Sequence, residues 1–213
     1  MTPQFSKAVD PIFLHVLGLL ERISQDENPS PQEERLRIRA YLDQGEAFIG
    51  ASEEWNLAKY ALTSWIDEVL LEAPWHGRDW WNNNVLEVEL FNTRLCNELF
   101  YTKAQEASTL SSRNALEVYY VCVVLGFRGF YRDPQAASLL AGPRGLPNDL
   151  ETWARQIAWT IRLGQGLPDL REGAEDGEGA PPLEGKSVLM ISFLVFIMLG
   201  TVTSILGAIY FLS

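Results

Sequence analysis

The sequence predicts an all-α fold: a bundle of about six to eight helices followed by one C-terminal transmembrane helix. Three observations favour this class. Apolar residues recur at helical spacing along residues 1–170, no two segments alternate as paired strands would, and residues 187–212 carry no charge. The expected layout is a helical domain over 1–170, a linker over 171–186 and an anchor over 187–212.

The first three helices are indicated by residues that favour helix N-termini. Asp10, which is followed by a proline, is a typical start for the first helix. Ser30 and Glu33 form a capping-box pattern for the second helix. Ser52 precedes two glutamates that suit the first turn of the third helix, and Pro74 is expected to end it.

The remaining segments complete the domain. Residues 75–83 are predicted to form an aromatic-rich loop, and Asn84 and Glu87 are predicted to cap a fourth helix. Residues 105–111 are predicted to form a loop. Residues 114–126 are apolar almost all round, which is typical of a central buried helix. Their valines and tyrosines would also suit a strand, but no partner strand is evident. Asn148 is expected to cap the last helix.

Charge and composition exclude two classes of protein. The 213 residues include 17 basic and 28 acidic side chains, and the net charge is −11. Binding to a phosphate backbone needs a cluster of Lys and Arg that this chain does not have, so nucleic acid is not expected as the main partner. Two cysteines are too few for a disulfide scaffold.

Residues 187–212 are predicted to cross a membrane. Fifteen of these 26 uncharged residues are Leu, Ile, Phe or Val. As a helix they would span about 39 Å, which exceeds the roughly 30 Å of a bilayer's hydrocarbon core. A buried core helix is the alternative, but such helices rarely run this long without a polar face. The acidic, Gly- and Pro-rich segment 171–186 is expected to be a flexible linker.

The N-terminus carries no basic region followed by an apolar stretch, so no signal peptide is expected. The helical domain is therefore predicted to stay in the cytoplasm, with the C-terminus across the membrane. Within the predicted anchor, Gly200, Ser204 and Ala208 recur every four residues and would share one helix face. Small residues at this spacing favour a homodimer through that face, although such residues are also simply common in membrane helices.

Asp67 and Glu68 are the first candidate site residues. Adjacent carboxylates point about 100° apart on a helix, so they do not form a facing acid–base pair. Three interpretations stay open: a solvated helix face, a carboxylate that binds a nearby loop amide, or a charged spot on a partner-binding surface. Trp75, Trp80 and Trp81 form the second candidate, either as interface anchors or as plugs at the end of the bundle.

The sequence gives no support for catalysis. The two histidines, His15 and His76, are not at metal-ligand spacing. Cys96 and Cys122 lie in apolar helical patterns without an evident base, which favours core packing over a nucleophilic role. No enzyme activity, metal or cofactor is therefore predicted.

Three segments together resemble the TssL/DotU family, also called IcmH. They are Tyr60–Trp75 (YALTSWIDEVLLEAPW), Leu90–Phe100 (LFNTRLCNELF) and Leu116–Arg132 (LEVYYVCVVLGFRGFYR). They occur in the family's order, in a chain with the family's layout of helical domain, linker and C-terminal anchor. The residues that match the family pattern are Asp67, Glu68, Pro74, Trp75, Gly126, Gly129, Tyr131 and Arg132.

The resemblance implies an inner-membrane subunit of a type VI secretion apparatus, or of the related type IVB system, with a cytoplasmic domain of two small helical bundles. The implied partners are the TssM/IcmF membrane protein and the TssK baseplate protein. Some relatives continue into a peptidoglycan-binding domain, whereas this chain stops at Ser213, so cell-wall anchoring is expected to come from a partner.

The predicted function is a tail-anchored scaffold that binds these partners. The residues expected to border a partner-binding cleft are Asp67, Glu68, Trp75, Trp80, Trp81 and Arg132. Two rival functions are a tail-anchored regulator that holds a partner helix in a groove and a membrane-tethered hydrolase. Neither rival accounts for the three family segments.

Overall fold

The computed structural model describes residues 1–164, and all regular structure in this range is helical, which confirms the all-α prediction. The helices are α1 (Pro3–Ser24), α2 (Pro31–Ile49), α3 (Glu53–Glu72), α4 (Arg78–Asn83), α5 (Leu86–Phe91), α6 (Cys96–Thr109), α7 (Asn114–Val124), α8 (Pro134–Leu140) and α9 (Leu150–Gly164). Short 3-10 turns lie at Gly129–Arg132 and Gly142–Arg144.

The predicted linker and anchor lie outside the described residues. The same holds for the proposed dimer face of Gly200, Ser204 and Ala208. Between residues 1 and 164, no helix combines the length and the apolar character that a membrane span needs.

The predicted starts of α2 and α3 are confirmed. The Ser30 hydroxyl accepts a hydrogen bond from the Glu33 amide at 3.4 Å, and the Ser52 hydroxyl accepts one from the Trp55 amide at 3.1 Å. Each bond satisfies an amide that has no carbonyl partner within its helix. The third helix ends at Glu72, two residues before Pro74, because proline disfavours helical geometry in the residue that precedes it.

The predicted start of α1 at Asp10 is wrong. The helix begins at Pro3, the Thr2 hydroxyl caps it, and Pro11 lies inside it. The physical reason is that Phe5 and Val9 extend the buried apolar face by two turns toward the N-terminus. Burial of that face outweighs the one hydrogen bond that an internal proline removes.

The region after α3 differs most from expectation. The predicted loop over 75–83 contains α4, and the predicted fourth helix is divided into α5 and α6. Asn92 adopts a left-handed conformation with φ of 52° and ends α5. Helix α6 then continues to Thr109, through most of the segment that was predicted to be a loop.

Near the C-terminal end of the described chain, the last helix is confirmed with a different cap. The Asp149 carboxylate, rather than Asn148, accepts a hydrogen bond from the Thr152 amide at 2.7 Å. Helix α8 was not predicted. Its first turn is capped by Asp133, whose carboxylate accepts from the Gln135 amide at 2.9 Å.

Helix α3 lies at the centre of the domain, a place that the sequence suggested for α7. Of its 20 residues, 14 are buried. It packs against α6 and α7, α7 packs against α9, and the α1–α2 hairpin contacts α3 as well. The Phe13 and Trp65 rings lie 5.1 Å apart, which joins the hairpin to the rest of one continuous apolar core. The α1–α2 hairpin and the helices that pack around α3 therefore share one core. Because α3 is surrounded, a polar side chain on almost any of its faces is buried.

A candidate docking cleft built on buried carboxylates

Asp67 holds the start of α5. Its side chain is 2% exposed, and its Oδ1 atom accepts hydrogen bonds from the Trp81 indole and the Leu86 amide, both at 2.9 Å. Its Oδ2 atom accepts from the Glu87 amide at 2.9 Å. The amides at a helix start have no carbonyl partner within the helix. Asp67 therefore caps α5 from a different helix.

Glu87 plays the same role for α6. This side chain is 1% exposed and accepts a hydrogen bond from the Tyr60 hydroxyl at 2.8 Å. It also accepts from the amides of Leu95 and Cys96, each at 3.1 Å, where α6 begins. The sequence suggested Glu87 only as part of a local capping pattern, so its contact with α6 was missed.

Glu68 holds the 3-10 turn at Gly129–Arg132. The side chain is 7% exposed and accepts from the amides of Arg128 at 2.6 Å and Gly129 at 3.0 Å. The Arg132 guanidinium donates to it at 2.8 Å. Gly129 has φ of +53°, and a Cβ atom there would lie 2.9 Å from the Asn97 carbonyl oxygen. Glycine is therefore needed for this close approach.

These contacts decide between the interpretations of Asp67 and Glu68. Both carboxylates bind backbone amides, so the amide-binding interpretation is confirmed and the solvated helix face is wrong. Because the two side chains point in different directions on α3, each fixes a different neighbouring segment. Three carboxylates in all, Asp67, Glu68 and Glu87, position α5, α6 and the turn around α3.

Burial and hydrogen bonding have opposite effects on Asp67. Burial raises the pKa of its carboxyl to about 6, while the Leu86 and Glu87 amides and the Trp81 indole lower it. The Tyr60 hydroxyl, which donates to the neighbouring Glu87 carboxylate, shows the same effect of burial. Burial, together with the Glu87 carboxylate, raises the pKa of the Tyr60 hydroxyl well above its usual value, so this hydroxyl remains a donor.

The three tryptophans mostly plug the end of the domain. Trp81 is fully buried and donates to Asp67, and Trp75 is buried and donates to the Leu70 carbonyl at 2.9 Å. Trp80 is half-buried and its ring centroid lies 6.4 Å from that of Trp81. Only Trp80 leaves part of its surface open to another molecule.

A cleft of about 650 Å³ opens beside this network. Its floor includes Asp67, Glu68 and Glu87, and Arg132 forms part of one wall, with a half-exposed side chain that also pairs with Glu72. The three tryptophans do not line it. The other charged residues along the cleft are Arg78, Arg94, Glu98 and Asp133. Of the predicted border residues, the structure thus brings together Asp67, Glu68 and Arg132.

Cys96 also lines the cleft, but its surroundings disfavour a nucleophile. Burial and the neighbouring Glu87 carboxylate raise the pKa of the Cys96 thiol well above its usual value, so the reactive thiolate is not formed at neutral pH. His15 lies far along the chain from it and binds Glu34 at 2.9 Å. Among residues 1–164, no group of three or more His, Cys, Asp or Glu side chains is placed to hold a metal ion.

Comparisons with known proteins agree with this architecture. The fold is similar to a solved structure described as the cytoplasmic domain of TssL from Acinetobacter baumannii, with a TM-score of 0.59 and 21% sequence identity. The similarity covers 76% of this chain and 99% of that one. A search of curated proteins finds no match. A family model described as type VI secretion system protein DotU matches residues 5–212. Because this match extends over nearly the whole sequence, the chain belongs to the DotU family of type VI secretion system proteins.

Proposed function

We propose that this protein is a tail-anchored, single-pass scaffold of the type VI membrane complex in the bacterial inner membrane. Its helical domain faces the cytoplasm and its C-terminus faces the periplasm. One observation carries the proposal: the family match is continuous over residues 5–212 and so includes both the helical domain and the uncharged segment 187–212. An uncharged segment of this length suits a membrane span.

The proposed docking surface for TssM-like and TssK-like partners is the cleft beside α3. It is supported by the mixture of exposed charged groups and partly buried apolar groups along its walls, which is common at protein interfaces. Asp67 and Glu68 contribute to docking as positioning residues, because they hold the helices that form the walls. Arg78 is exposed at the cleft and is a candidate for direct contact.

Charge reversal tests the cleft. In a pull-down with TssM-like and TssK-like partners, Arg78→Glu is expected to weaken capture of at least one partner by about tenfold, because charge complementarity controls encounter and specificity. Lys7→Glu is the matched control, since Lys7 is exposed on α1 and does not line the cleft. Equal capture by both variants would show that partners bind elsewhere.

Protease protection tests the topology. Protease added outside spheroplasts is expected to leave residues 1–164 intact, whereas a tag placed after Ser213 is expected to be cleaved. Digestion of the helical domain from outside would contradict the proposed orientation.

The anchor is also proposed to form a homodimer through Gly200, Ser204 and Ala208. A bulky side chain at the centre of this face is expected to separate the two helices. An in-membrane two-hybrid signal is therefore expected to fall for Ser204→Ile and to persist for Val202→Ile on the opposite face. Equal signals for the two variants would show that self-association occurs through another surface.

A further inference from the structure

Helix α9 carries an apolar pair that is unpartnered within the described domain. One face of this helix packs against the domain through Trp153, Ile157 and Ile161. On the other side, Trp159 is 64% exposed and Leu163 is 74% exposed. The two residues are four positions apart, so their side chains are neighbours on the helix surface. All seven tryptophans of the chain lie in the described residues, and Trp159 is the exposed one among them.

Basic residues flank this pair. Arg155 lies one turn before Trp159, and Arg162 directly precedes Leu163. Arg155 has a weak pairing with exposed Glu151 at 3.9 Å, and its neighbour four positions further along the same face, Trp159, is uncharged. No acidic residue occurs between 152 and 164, although the whole chain has a net charge of −11. The C-terminal half of α9 is therefore a local basic and apolar surface on an acidic protein.

The residue that directly precedes α7, Arg113, contacts the same end of α9, and its guanidinium donates to the Ser108 and Leu110 carbonyls. The side chain of Arg113 lies directly against Gly164, because a Cβ atom at that glycine would approach the Arg113 Cγ atom to 2.6 Å. The chain leaves the described domain at this point and continues toward the segment predicted to enter the membrane.

We propose that this α9 surface, formed by Arg155, Trp159, Arg162 and Leu163, docks on the anionic surface of the bilayer. Tryptophan favours the boundary between headgroups and acyl chains, leucine buries its side chain there, and arginines attract anionic lipids. The inference rests on the proposed membrane anchoring. Residues 165–186 separate α9 from the predicted anchor, and a linker of this length with the flexibility predicted from its composition would span roughly 25 Å. The bilayer surface is therefore within reach of the end of α9.

Charge complementarity favours lipid over a second copy of the chain. A symmetric dimer through this face would bring each arginine pair close to its own equivalent, and like charges would repel. Two apolar side chains also fall far short of the roughly 1,200–2,000 Å² that stable protein interfaces bury. An anionic bilayer satisfies both the arginines and the apolar pair.

Tryptophan quenching by brominated lipids tests this proposal on the full-length protein. The predicted anchor contains no tryptophan, so bromine atoms in the bilayer report on the helical domain alone. In vesicles of brominated phosphatidylcholine with about one third phosphatidylglycerol, we expect quenching that falls about threefold in Trp159→Phe. Trp80→Phe is the matched control, because Trp80 is half-buried on a different helix, and it is expected to keep the quenching of the wild type. The double variant Arg155→Gln/Arg162→Gln is expected to reduce quenching in the anionic vesicles.

Co-flotation with the vesicles tests membrane anchoring independently of tryptophan quenching. A protein that does not float contradicts the proposed membrane anchor. A protein that floats but shows equal quenching in wild type and Trp159→Phe overturns the docking of α9 alone. A blue shift of the emission that the Trp159→Phe variant lacks, without lipid quenching, would also overturn it and would indicate a protein partner on this face.

Discussion

The domain buries carboxylates in two different ways. In the α1–α2 hairpin, Glu34 is buried and binds the side chains of His15, Arg22 and Arg37, each at 2.9 Å. In the α3 region, Asp67 is equally buried but binds two backbone amides and one indole.

The difference lies in what each carboxylate organises. Glu34 collects cations whose own side chains reach solvent, so its loss leaves them hydrated. Asp67 satisfies amides that have no other partner, so it decides where α5 begins. Asp67 and Glu68, the residues on α3 that match the DotU pattern, therefore stabilise the fold first, and the cleft forms as a consequence.

Removal of Asp67 should have the largest effect on stability. Asp67→Ala leaves the Leu86 and Glu87 amides and the Trp81 indole buried without an acceptor, and it is expected to lower the free energy of unfolding by about 4 kcal/mol. Urea unfolding of the helical domain measures this. A loss no greater than that of Glu34→Ala would contradict the proposed difference between the two networks.

The pH dependence of Asp67 should be opposite to that of a carboxylate in an exposed ion pair. Its pKa in the folded state is about 6, above the ordinary value of 3.8, so its contribution to stability is present at low pH and is lost as the pH rises to about 6. The full shift corresponds to about 3 kcal/mol. The difference in unfolding free energy between wild type and Asp67→Asn is therefore expected to shrink from pH 4 to pH 7. A difference that grows over this range would show that hydrogen bonding outweighs burial.

Alanine substitutions at two glycines are expected to have smaller effects on stability, and of opposite sign. Gly129→Ala places a Cβ atom 2.9 Å from the Asn97 carbonyl at a positive φ, and it is expected to destabilise the domain by about 2 kcal/mol. Gly18→Ala, inside α1, meets no atom within 4 Å and is expected to stabilise by about 0.5–1 kcal/mol. Thermal unfolding of both variants checks the pair, and equal shifts would mean that the turn tolerates a side chain.

Glu34→Ala should have the smallest destabilising effect among the buried carboxylates, about 1–2 kcal/mol. Arg22 and Arg37 can turn toward water once the carboxylate is absent, and this limits the loss. Urea unfolding of Glu34→Ala and Asp67→Ala under the same conditions compares the two losses in unfolding free energy. A loss larger than that of Asp67→Ala would mean that side-chain cations contribute more than backbone caps.

Local signals along the chain were sufficient for several predictions. The starts of α2 and α3 followed from Ser30 and Ser52, because a cap joins residues only three positions apart. Helical spacing also predicted the all-α class and α9. By contrast, the start of α1 was missed because Asp10-Pro11 has the residue types of a helix start. The apolar face of α1 nevertheless continues on both sides of this pair, so the helix runs through it.

The candidate site was only partly predictable. The sequence marked Asp67, Glu68 and Arg132, and the structure places them along one cleft. It also marked Trp75 and Trp81, which are buried and do not line that cleft. A tryptophan's exposure depends on which helices pack around it, and periodicity over one short segment does not contain that information.

Residue type and short spacing were enough to predict the helical class, the uncharged segment 187–212 and the family to which the chain belongs. The roles of Asp67 and Glu68, by contrast, depend on tertiary packing. Their amide partners lie 19 to 61 residues away along the chain. Burial of 14 of the 20 residues of α3 made those distant amides the available partners in place of water.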